Sequence, residues 1–217
     1  MHSRIIPLYF LSLILIFVVI NVSNTIATGS DIRNIDFKNF TYDTSYCYDQ
    51  FKDDGLDKSI TVHNGEFKTG NGLVYFNIGT SFIYNKPGII YGDLMANGHE
   101  EAIVAAQCGS FGANYSLREI FVYTMNNGKP RLIATIDDGG VEKDFARYYP
   151  SSSSSTNMDN FYWGISSIGI KNGKLEVRAL VDGCHACMHS TAIIRYKLSG
   201  DRLIPVGRPQ KIKRATP

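Results

Sequence analysis

Hydrophobic residues occur along most of the chain in short segments separated by glycine and asparagine, a pattern typical of β-strands. Three pairs of these segments flank a tight turn: 118–125 with 131–136, 165–170 with 175–181, and 191–198 with 203–206. Two of the turns contain Asn-Gly, which readily adopts the positive φ angles of two-residue hairpin loops. The pattern therefore predicts antiparallel hairpins in series.

Four more strands are predicted before these hairpins, at 58–62, 73–78, 89–91 and 101–108. Helix signals are weak, and only 31–56 and 141–149 have room for a short helix. We therefore predict a mainly β fold with little helix, in which antiparallel hairpins or a meander form a single β-sandwich, barrel-like or partial propeller-like domain. The aromatic content of 12% suits a sheet core. An alternative is that some aromatic residues form a sugar- or peptide-binding face.

The N-terminus has the layout of a secretory signal. Arg4 precedes an apolar segment, 5–22, that carries no charge, and small residues follow at 23–30. A basic start, an apolar middle and small residues at a cleavage point define a signal peptide, so we predict cleavage after Ala27. About 20 apolar residues also span a bilayer, which leaves an uncleaved N-terminal anchor as the alternative. Either reading predicts export to the periplasm or the extracellular space.

Removal of residues 1–27 leaves 190 of the 217 residues, a length typical of one domain. We predict a single β-rich domain at 31–207 and a basic flexible tail at 208–217. The net charge of +2 becomes +1 without Arg4. Nucleic-acid-binding proteins usually carry a clear basic stripe, so this balance argues against a nucleic-acid partner. Membrane contact is expected only through the N-terminal segment, if it is uncleaved.

Four cysteines, Cys47, Cys108, Cys184 and Cys187, make an even set in a chain predicted to be exported. Disulfides form in oxidising compartments, so we predict that all four are bridged. Four cysteines allow three pairings. One joins Cys184 to Cys187 and Cys47 to Cys108, and the other two tie both distant cysteines to the 184–187 turn. The sequence leaves the three pairings open.

The segment 184–189 supports two further interpretations. A C-x-x-C pair such as Cys184 and Cys187 can be a thiol–disulfide redox centre, although that motif usually lies in a βαβ unit rather than between strands. Soft ligands suited to copper or zinc are also concentrated here. They are Cys184, His185, Cys187, Met188 and His189.

An acidic loop at 93–101 has the spacing of a calcium site. Asp93, Asn97 and Glu101 supply oxygen atoms at alternate positions, and Gly98 permits a turn. The loop resembles the calcium motif of FG-GAP and integrin-type propeller repeats, of the form D-x-[DN]-x-D-G-x-x-[DE]. It departs from that motif because Met95 replaces an oxygen ligand and Asn97 a charged one.

The resemblance therefore implies weak Ca²⁺ binding at this loop. The alternative is a hairpin turn that keeps the shape of the motif without the ion. A propeller is built from several repeats, and this sequence has one copy.

A wider resemblance covers most of the chain after the N-terminal segment. It is carried by DFKNFTY, VHNGEF, YGDLMANGHEEAIV, FVYTMNNGKPRLIATI and IIRYKLSGDRLIPVG. These stretches resemble a family of small exported bacterial proteins that is similar to predicted lipoproteins of mycobacteria and to secreted proteins of soil bacteria. The resemblance implies a single β-rich domain and an exported location, and it implies no catalytic residue. The chain departs from the lipoprotein members because Cys47 is its first cysteine.

The sequence carries no recognisable acid–base pair, Ser–His–Asp set or phosphate-binding loop. We therefore predict a non-catalytic, exported β-rich protein that binds or supports a component of the cell envelope, either a protein or a glycan, without a cofactor. Two other functions remain open. One is metal binding, with calcium at 93–101 or a soft metal at 184–189. The other is thiol–disulfide chemistry at Cys184 and Cys187.

Overall fold

A computed structural model of the protein describes residues 31–79, 88–113, 116–150, 160–183 and 190–213. Its regular structure is mainly β, as predicted. The strands are β1 (Thr41–Asp43), β2 (Ser59–Thr61), β3 (Glu66–Lys68), β4 (Val74–Ile78), β5 (Ile89–Gly92), β6 (Glu101–Ser110), β7 (Leu117–Asn126), β8 (Lys129–Asp137), β9 (Tyr162–Lys171), β10 (Lys174–Val181), β11 (Ser190–Ser199), β12 (Arg202–Pro205) and β13 (Gln210–Lys213). The helices are α1 (Tyr46–Phe51), α2 (Asp138–Ala146) and the 3-10 helices Ile32–Asn34 and Lys52–Asp54.

The three predicted hairpins are confirmed. Strands β7 and β8 are joined by Asn127 and Gly128, whose φ angles are 50° and 76°. Strands β9 and β10 are joined in the same way by Asn172 and Gly173, with φ angles of 52° and 65°. The β11–β12 turn follows Ser199, which pairs with Arg202. Two consecutive positive φ angles match the twist of the flanking strands, which explains why asparagine and glycine occupy these turns.

The described strands form three antiparallel sheets. The six-stranded sheet has the order β3-β4-β6-β7-β8, with β5 also paired to β6. The five-stranded sheet has the order β12-β11-β10-β9, with β13 also paired to β11, and β1 pairs with β2. The two large sheets are open in this part of the chain and pack face to face. Of the three predicted architectures, this arrangement corresponds to the sandwich.

The main core lies between the two large sheets. One face of β6 and β7 contributes Ile103, Ala105, Ile120 and Val122, and β10 and β11 contribute the opposing layer. Helix α2 closes one end of this core with Val141 and Phe145, which are four residues apart and so share one helix face. The helix begins where the Asp137 carboxylate accepts a hydrogen bond from the Gly140 amide at 2.8 Å, a standard N-cap.

A second core covers the opposite face of the six-stranded sheet. It contains the alternate residues of β6, including Val104 and Ala106, and side chains from the N-terminal segment 31–62. Aromatic rings dominate it: the Phe121 and Tyr123 rings of β7 lie 5.3 and 6.2 Å from the ring of Tyr42. Because both faces of the sheet are covered, β6 and β7 read as continuous apolar runs.

The C-terminal residues differ from the predicted flexible tail. Of residues 208–217, Gln210–Lys213 form β13, whose Ile212 pairs with Thr191 of β11. The Lys211 ammonium also lies 2.9 Å from the Asp182 carboxylate. The basic composition suggested a solvated end, but a strand partner and an ion pair order this segment as far as Lys213.

Candidate functional site

The acidic loop is a turn held together by Asp93. Its Oδ1 accepts a hydrogen bond from the Asn97 amide at 3.1 Å, and its Oδ2 accepts one from the Gly98 amide at 2.9 Å. The Asn97 side-chain oxygen in turn accepts a hydrogen bond from the His99 amide at 2.9 Å. The amide of Gly98, with a smaller contribution from that of Asn97, lowers the pKa of Asp93. The carboxylate therefore already has a role in closing the turn.

Glu101 supports the same turn from inside the protein. The side chain is buried, and its Oε2 accepts hydrogen bonds from the amides of Leu94 at 2.8 Å and Met95 at 3.2 Å. The Thr124 hydroxyl donates to Oε1 at 3.4 Å. Burial raises the pKa of Glu101, and the Leu94 and Met95 amides offset this in part. The Glu101 carboxylate therefore positions the backbone of the turn, as the Asp93 carboxylate does.

The structure thus brings Asp93, Asn97 and Glu101 together on one turn, as the spacing predicted. All three accept hydrogen bonds from backbone amides, which the hairpin-turn alternative explains without an ion. Among the residues that the structure describes, no group of three or more His, Cys, Asp or Glu side chains is arranged to hold a metal. Calcium binding stays a prediction.

An ion pair fixes the acidic loop to the N-terminal segment. The Arg33 guanidinium donates to both carboxylate oxygens of Glu100, at 2.5 and 2.9 Å. The same guanidinium lies 4.7 Å from the ring centroid of Tyr91. A bidentate pair of this kind sets an orientation as well as a distance. Glu100 therefore holds the acidic loop against the segment that contains Arg33.

We expect Asp93→Ala to accelerate hydrogen exchange at the amides of Asn97 and Gly98 in calcium-free buffer, because both amides lose their acceptor. Amide exchange followed by NMR measures this directly. Asp36→Ala is the matched control, since Asp36 bonds the Lys38 amide in a different turn. If exchange at Asn97 and Gly98 were unchanged by Asp93→Ala but slowed in the wild type by added Ca²⁺, the carboxylate would instead serve a cation.

Cys47 of α1 and Cys108 of β6 form a disulfide with a Cα–Cα distance of 6.1 Å. This bond is one half of the first pairing considered from the sequence, and both residues are fully buried. It fastens the N-terminal segment to the six-stranded sheet. The redox and soft-metal predictions involve Cys184, His185, Cys187, Met188 and His189, which lie outside the described residues.

The chain that leads into Cys184 is firmly held. Asp182 accepts a hydrogen bond from the Asn160 amide at 2.7 Å and one from the Lys211 ammonium at 2.9 Å. Its pKa is lowered because hydrogen bonds from Lys211 and its other partners outweigh burial, which acts in the opposite direction. The Trp163 indole donates to the Gly183 carbonyl at 3.2 Å. This cluster joins three segments of the five-stranded sheet at one end.

Two buried carboxylates that brace the fold were not predicted from the sequence. One is Glu119 of β7, which is hydrogen-bonded to the Thr44 hydroxyl and accepts a bond from the Ser45 amide at 3.4 Å. Burial raises the pKa of Glu119, and the bonds from Thr44 and Ser45 offset this in part. Glu119 therefore ties the start of α1 to the six-stranded sheet.

The other is Asp138, the first residue of α2. Its Oδ2 accepts a hydrogen bond from the Arg118 amide at 2.8 Å. Its Oδ1 accepts bonds from the Tyr162 hydroxyl at 2.7 Å and the Ile165 amide at 2.8 Å. Burial raises the pKa of Asp138, and the charge of Arg118 opposes that rise. One side chain thus connects α2, β7 and β9, and with them the two large sheets.

We expect Glu119→Gln to change how stability depends on pH. A raised pKa means that the folded protein retains the proton longer than the unfolded chain does. The stability from this group is therefore complete below the ordinary value of 4.5 and is lost as pH rises through the folded pKa. Glutamine stays neutral at every pH. The free energy of unfolding of the variant should therefore be about 1 kcal/mol or less below that of wild type at low pH, and the difference should shrink or reverse towards pH 7. Urea unfolding from pH 4.5 to 7.5 tests this.

Glu100→Gln is the control with the opposite sign. The pKa of Glu100 is lowered by Arg33, so its stabilising contribution is present above the ordinary value and is lost as pH falls. Wild type should therefore gain on Glu100→Gln as pH rises towards 4.5, so urea unfolding of this variant and wild type is extended below pH 4.5. Parallel stability curves for Glu119→Gln and wild type would contradict the role assigned to Glu119.

A cluster of exposed and half-buried side chains, aromatic, apolar and polar, lies at the β3–β4–β6 end of the six-stranded sheet. We call it the aromatic patch, and it consists of Lys68, Leu73, Tyr75, Gln107 and Phe111. Phe111 is 52% exposed and Leu73 is 54% exposed. The rings of Tyr75 and Phe111 lie 5.3 Å apart, and the Lys68 ammonium is 5.4 Å from the Phe111 centroid. The Gln107 amide donates to the Tyr75 hydroxyl at 3.3 Å.

Sheet register places these side chains on one face. Lys68 of β3 pairs with Tyr75 of β4, which pairs with Gly109 of β6. A Cβ on Gly109 would come within 2.7 Å of the Tyr75 hydroxyl oxygen and 3.0 Å of its Cζ. Glycine here allows the Tyr75 ring to lie against the strand. Alternation along β6 puts Gln107 and Gly109 on the same face as Ala105 of the main core.

Comparison with protein-family models, curated proteins and solved structures found no match for this chain. The resemblance to FG-GAP-like repeats and to small exported bacterial proteins therefore stays a prediction. In the described part of the chain, no helix has the length and apolar character required to cross a membrane. The predicted signal or anchor at 1–27 lies outside that part.

Proposed function

We propose that this protein is a non-catalytic, exported β-rich binding protein of the cell envelope, and that the aromatic patch is its binding surface. The observation that carries the proposal is the exposure of Phe111 and Leu73 beside Tyr75, on a sheet whose other face buries its aromatic rings. Exposed apolar side chains that cluster beside polar ones are typical of interaction sites.

The rigidity of the patch supports a binding role. Lys68, Tyr75 and Gln107 project from paired strands. Leu73 and Phe111 adjoin the ends of β4 and β6, where the Phe111 amide donates to the Leu73 carbonyl at 2.9 Å. Both Gly109 and Gln107 constrain the Tyr75 ring. A surface that is already ordered loses little conformational entropy when a ligand binds. Sites on strands also hold their geometry better than sites on loops.

The buried carboxylates support a non-catalytic role, because each serves the fold. Glu101, Glu119 and Asp138 accept hydrogen bonds from backbone amides and hydroxyl groups. Glu176 and Asp182 form ion pairs with Arg195 and Lys211, with N–O distances of 2.7 and 2.9 Å. The oxygen atoms of these five carboxylates therefore form hydrogen bonds or ion pairs within the protein.

Export is supported by the uncharged segment 5–22 and by the Cys47–Cys108 disulfide. Stable structural disulfides are typical of oxidising compartments outside the cytosol. The disulfide and the apolar segment 5–22 are separate observations, and both favour the same location.

The test combines location with retention on envelopes. We expect the protein, expressed in its native cells, to be recovered from the envelope or the medium with Cys47 and Cys108 oxidised. The purified protein should sediment with isolated envelopes. Phe111→Ala should lower its affinity for the envelopes about tenfold. Tyr148→Ala is the matched control, because Tyr148 is an aromatic residue that is 40% exposed outside the patch.

Two results would contradict the proposal. The first is recovery of the protein from the cytosol with Cys47 and Cys108 reduced. The second is sedimentation that Phe111→Ala and Tyr148→Ala leave equally unaffected.

A further inference from the structure

We infer that the aromatic patch binds an acidic glycan, whose pyranose rings stack on Tyr75 and Phe111 while a carboxylate of the glycan contacts Lys68. This inference rests on the proposed function and names the class of its ligand. The patch supplies an apolar surface, hydrogen-bonding groups at its margin and one positive charge, and an acidic sugar presents the same three features.

The two rings form an angled platform. The Tyr75 ring lies over Gly109, and the Phe111 ring is inclined to it by 59° at a centroid distance of 5.3 Å. One face of a pyranose ring with equatorial substituents consists of C–H groups, which pack against an aromatic face as other apolar groups do. Leu73 extends this apolar surface, because the Phe111 amide donates to its carbonyl at 2.9 Å and so holds the two residues side by side.

Polar groups stand at the margin where sugar hydroxyl groups would project. A primary amide has two N–H donors and a carbonyl acceptor, and the Gln107 amide donates one hydrogen bond to the Tyr75 hydroxyl. That hydroxyl can itself donate to a ligand while it accepts from Gln107. The amide–hydroxyl pair thus offers both donors and acceptors, as recognition of a sugar hydroxyl requires.

Lys68 provides the charge that favours an acidic glycan. Its ammonium lies 5.4 Å from the Phe111 centroid, so a carboxylate on a stacked sugar ring would come close to it. Glu66 is on the same strand two residues away and faces Asn77, one step further from Phe111. The Lys68 ammonium is therefore the charge that the structure places over the Phe111 ring.

The geometry favours a glycan over a peptide. Peptides commonly bind sheets by adding a strand to an edge, where backbone N–H and C=O groups are available. The patch centres on β4 and β6, which pair with each other and with strands on their other sides. Strand β3, which carries Lys68, is at the edge of the sheet, whereas contact with the Tyr75 and Phe111 rings requires groups that stack and hydrogen-bond.

The experiment is titration of the purified, disulfide-bonded protein with two β-linked probes of six sugar residues each. Hyaluronan hexasaccharide carries carboxylates, and chitohexaose carries none. We expect hyaluronan to bind more tightly at low salt, with NMR shifts confined to β4, β6 and Phe111. Tyr75→Ala and Phe111→Ala should each weaken binding about tenfold. Tyr148→Ala should not.

Two further variants separate stacking from charge. Lys68→Gln should remove the preference for hyaluronan and leave the affinity for chitohexaose unchanged. Gly109→Ala should lift the distal end of the Tyr75 ring and weaken the binding of both probes. We expect its melting temperature to stay close to wild type, because the atoms displaced are those of the half-buried Tyr75 side chain and not of the backbone.

Three results would overturn the inference, and they bear differently on the proposed function. Equal affinity for the two probes, unaffected by Lys68→Gln, would exclude an acidic ligand. Absence of binding to both probes, with protease-sensitive retention on envelopes that requires Phe111, would replace the glycan with a protein and leave the proposed function intact. Absence of binding to the probes together with absence of envelope retention would refute both.

Discussion

Loss of the disulfide through Cys47→Ala/Cys108→Ala is expected to lower the free energy of unfolding by about 4 kcal/mol. The bond joins residues 61 positions apart, so it restricts a long loop in the unfolded chain. Both sulfur atoms also lie in the core between the N-terminal segment and β6, where alanine leaves unfilled volume. For a domain of this size, the melting temperature should fall by roughly 8–16 °C.

Urea and thermal unfolding of the double variant measure this effect. Cys184→Ala/Cys187→Ala provides the matched background, because reductant added to that variant acts on the Cys47–Cys108 bond alone. In that background, reductant should reproduce the loss seen in Cys47→Ala/Cys108→Ala. Equal stability of the oxidised and reduced forms would show that packing alone secures the N-terminal segment.

We expect the loss of stability caused by removing the disulfide to be uneven across the molecule. The disulfide, the Glu119 bonds and the Arg33–Glu100 ion pair all join the N-terminal segment to the six-stranded sheet. The main core between the two large sheets contains none of these groups. Hydrogen exchange in the reduced protein should therefore increase first in β1, β2 and α1, which local unfolding exposes before global unfolding.

Local sequence signals account for the elements that were predicted correctly. The hairpins at Asn127-Gly128 and Asn172-Gly173 depend on turn residues and flanking alternation, both of which are contained within some twenty residues. The acidic loop could be recognised as a unit because Asp93, Asn97 and Glu101 lie within nine residues, and its use as a calcium site stays a prediction. The start of α2 carried a usable signal in Asp137, a favourable N-cap residue, although the predicted range began three residues too late.

Long-range contacts account for what the sequence concealed. Glu119 and Asp138 look like ordinary charged residues, and their burial depends on Thr44 and Ile165, which are 75 and 27 positions away. The aromatic patch is assembled from three strands. Its distinguishing residue is Gly109, and the contact of Gly109 with Tyr75 becomes visible only when the register of β4 against β6 is known. The strand β13 likewise depends on β11, to which a basic C-terminal sequence gives no clue.

Asp138→Ala is expected to lower the free energy of unfolding by about 3–5 kcal/mol, the range for removing one partner of a buried charged pair. The substitution deprives the Arg118 amide, the Tyr162 hydroxyl and the Ile165 amide of their acceptor at the same time. It also removes a carboxylate whose Oδ2 lies 3.9 Å from Nη1 of the buried Arg118 guanidinium. Since these groups belong to both large sheets, their relative position should become less well fixed.

Asp137→Ala is the appropriate control, because the adjacent carboxylate caps α2 and should cost only about 1 kcal/mol. Asp138→Asn separates charge from volume: either orientation of its amide turns an N–H towards another donor, so it should also destabilise the protein. The raised pKa of Asp138 means that its contribution is complete below the ordinary value of 3.8 and declines as pH rises through the folded value. The deficit of Asp138→Asn should therefore be largest in acid and smaller at neutral pH. If Asp138→Ala cost no more than Asp137→Ala, the two sheets would be held by apolar packing, and the buried carboxylate would be incidental to their alignment.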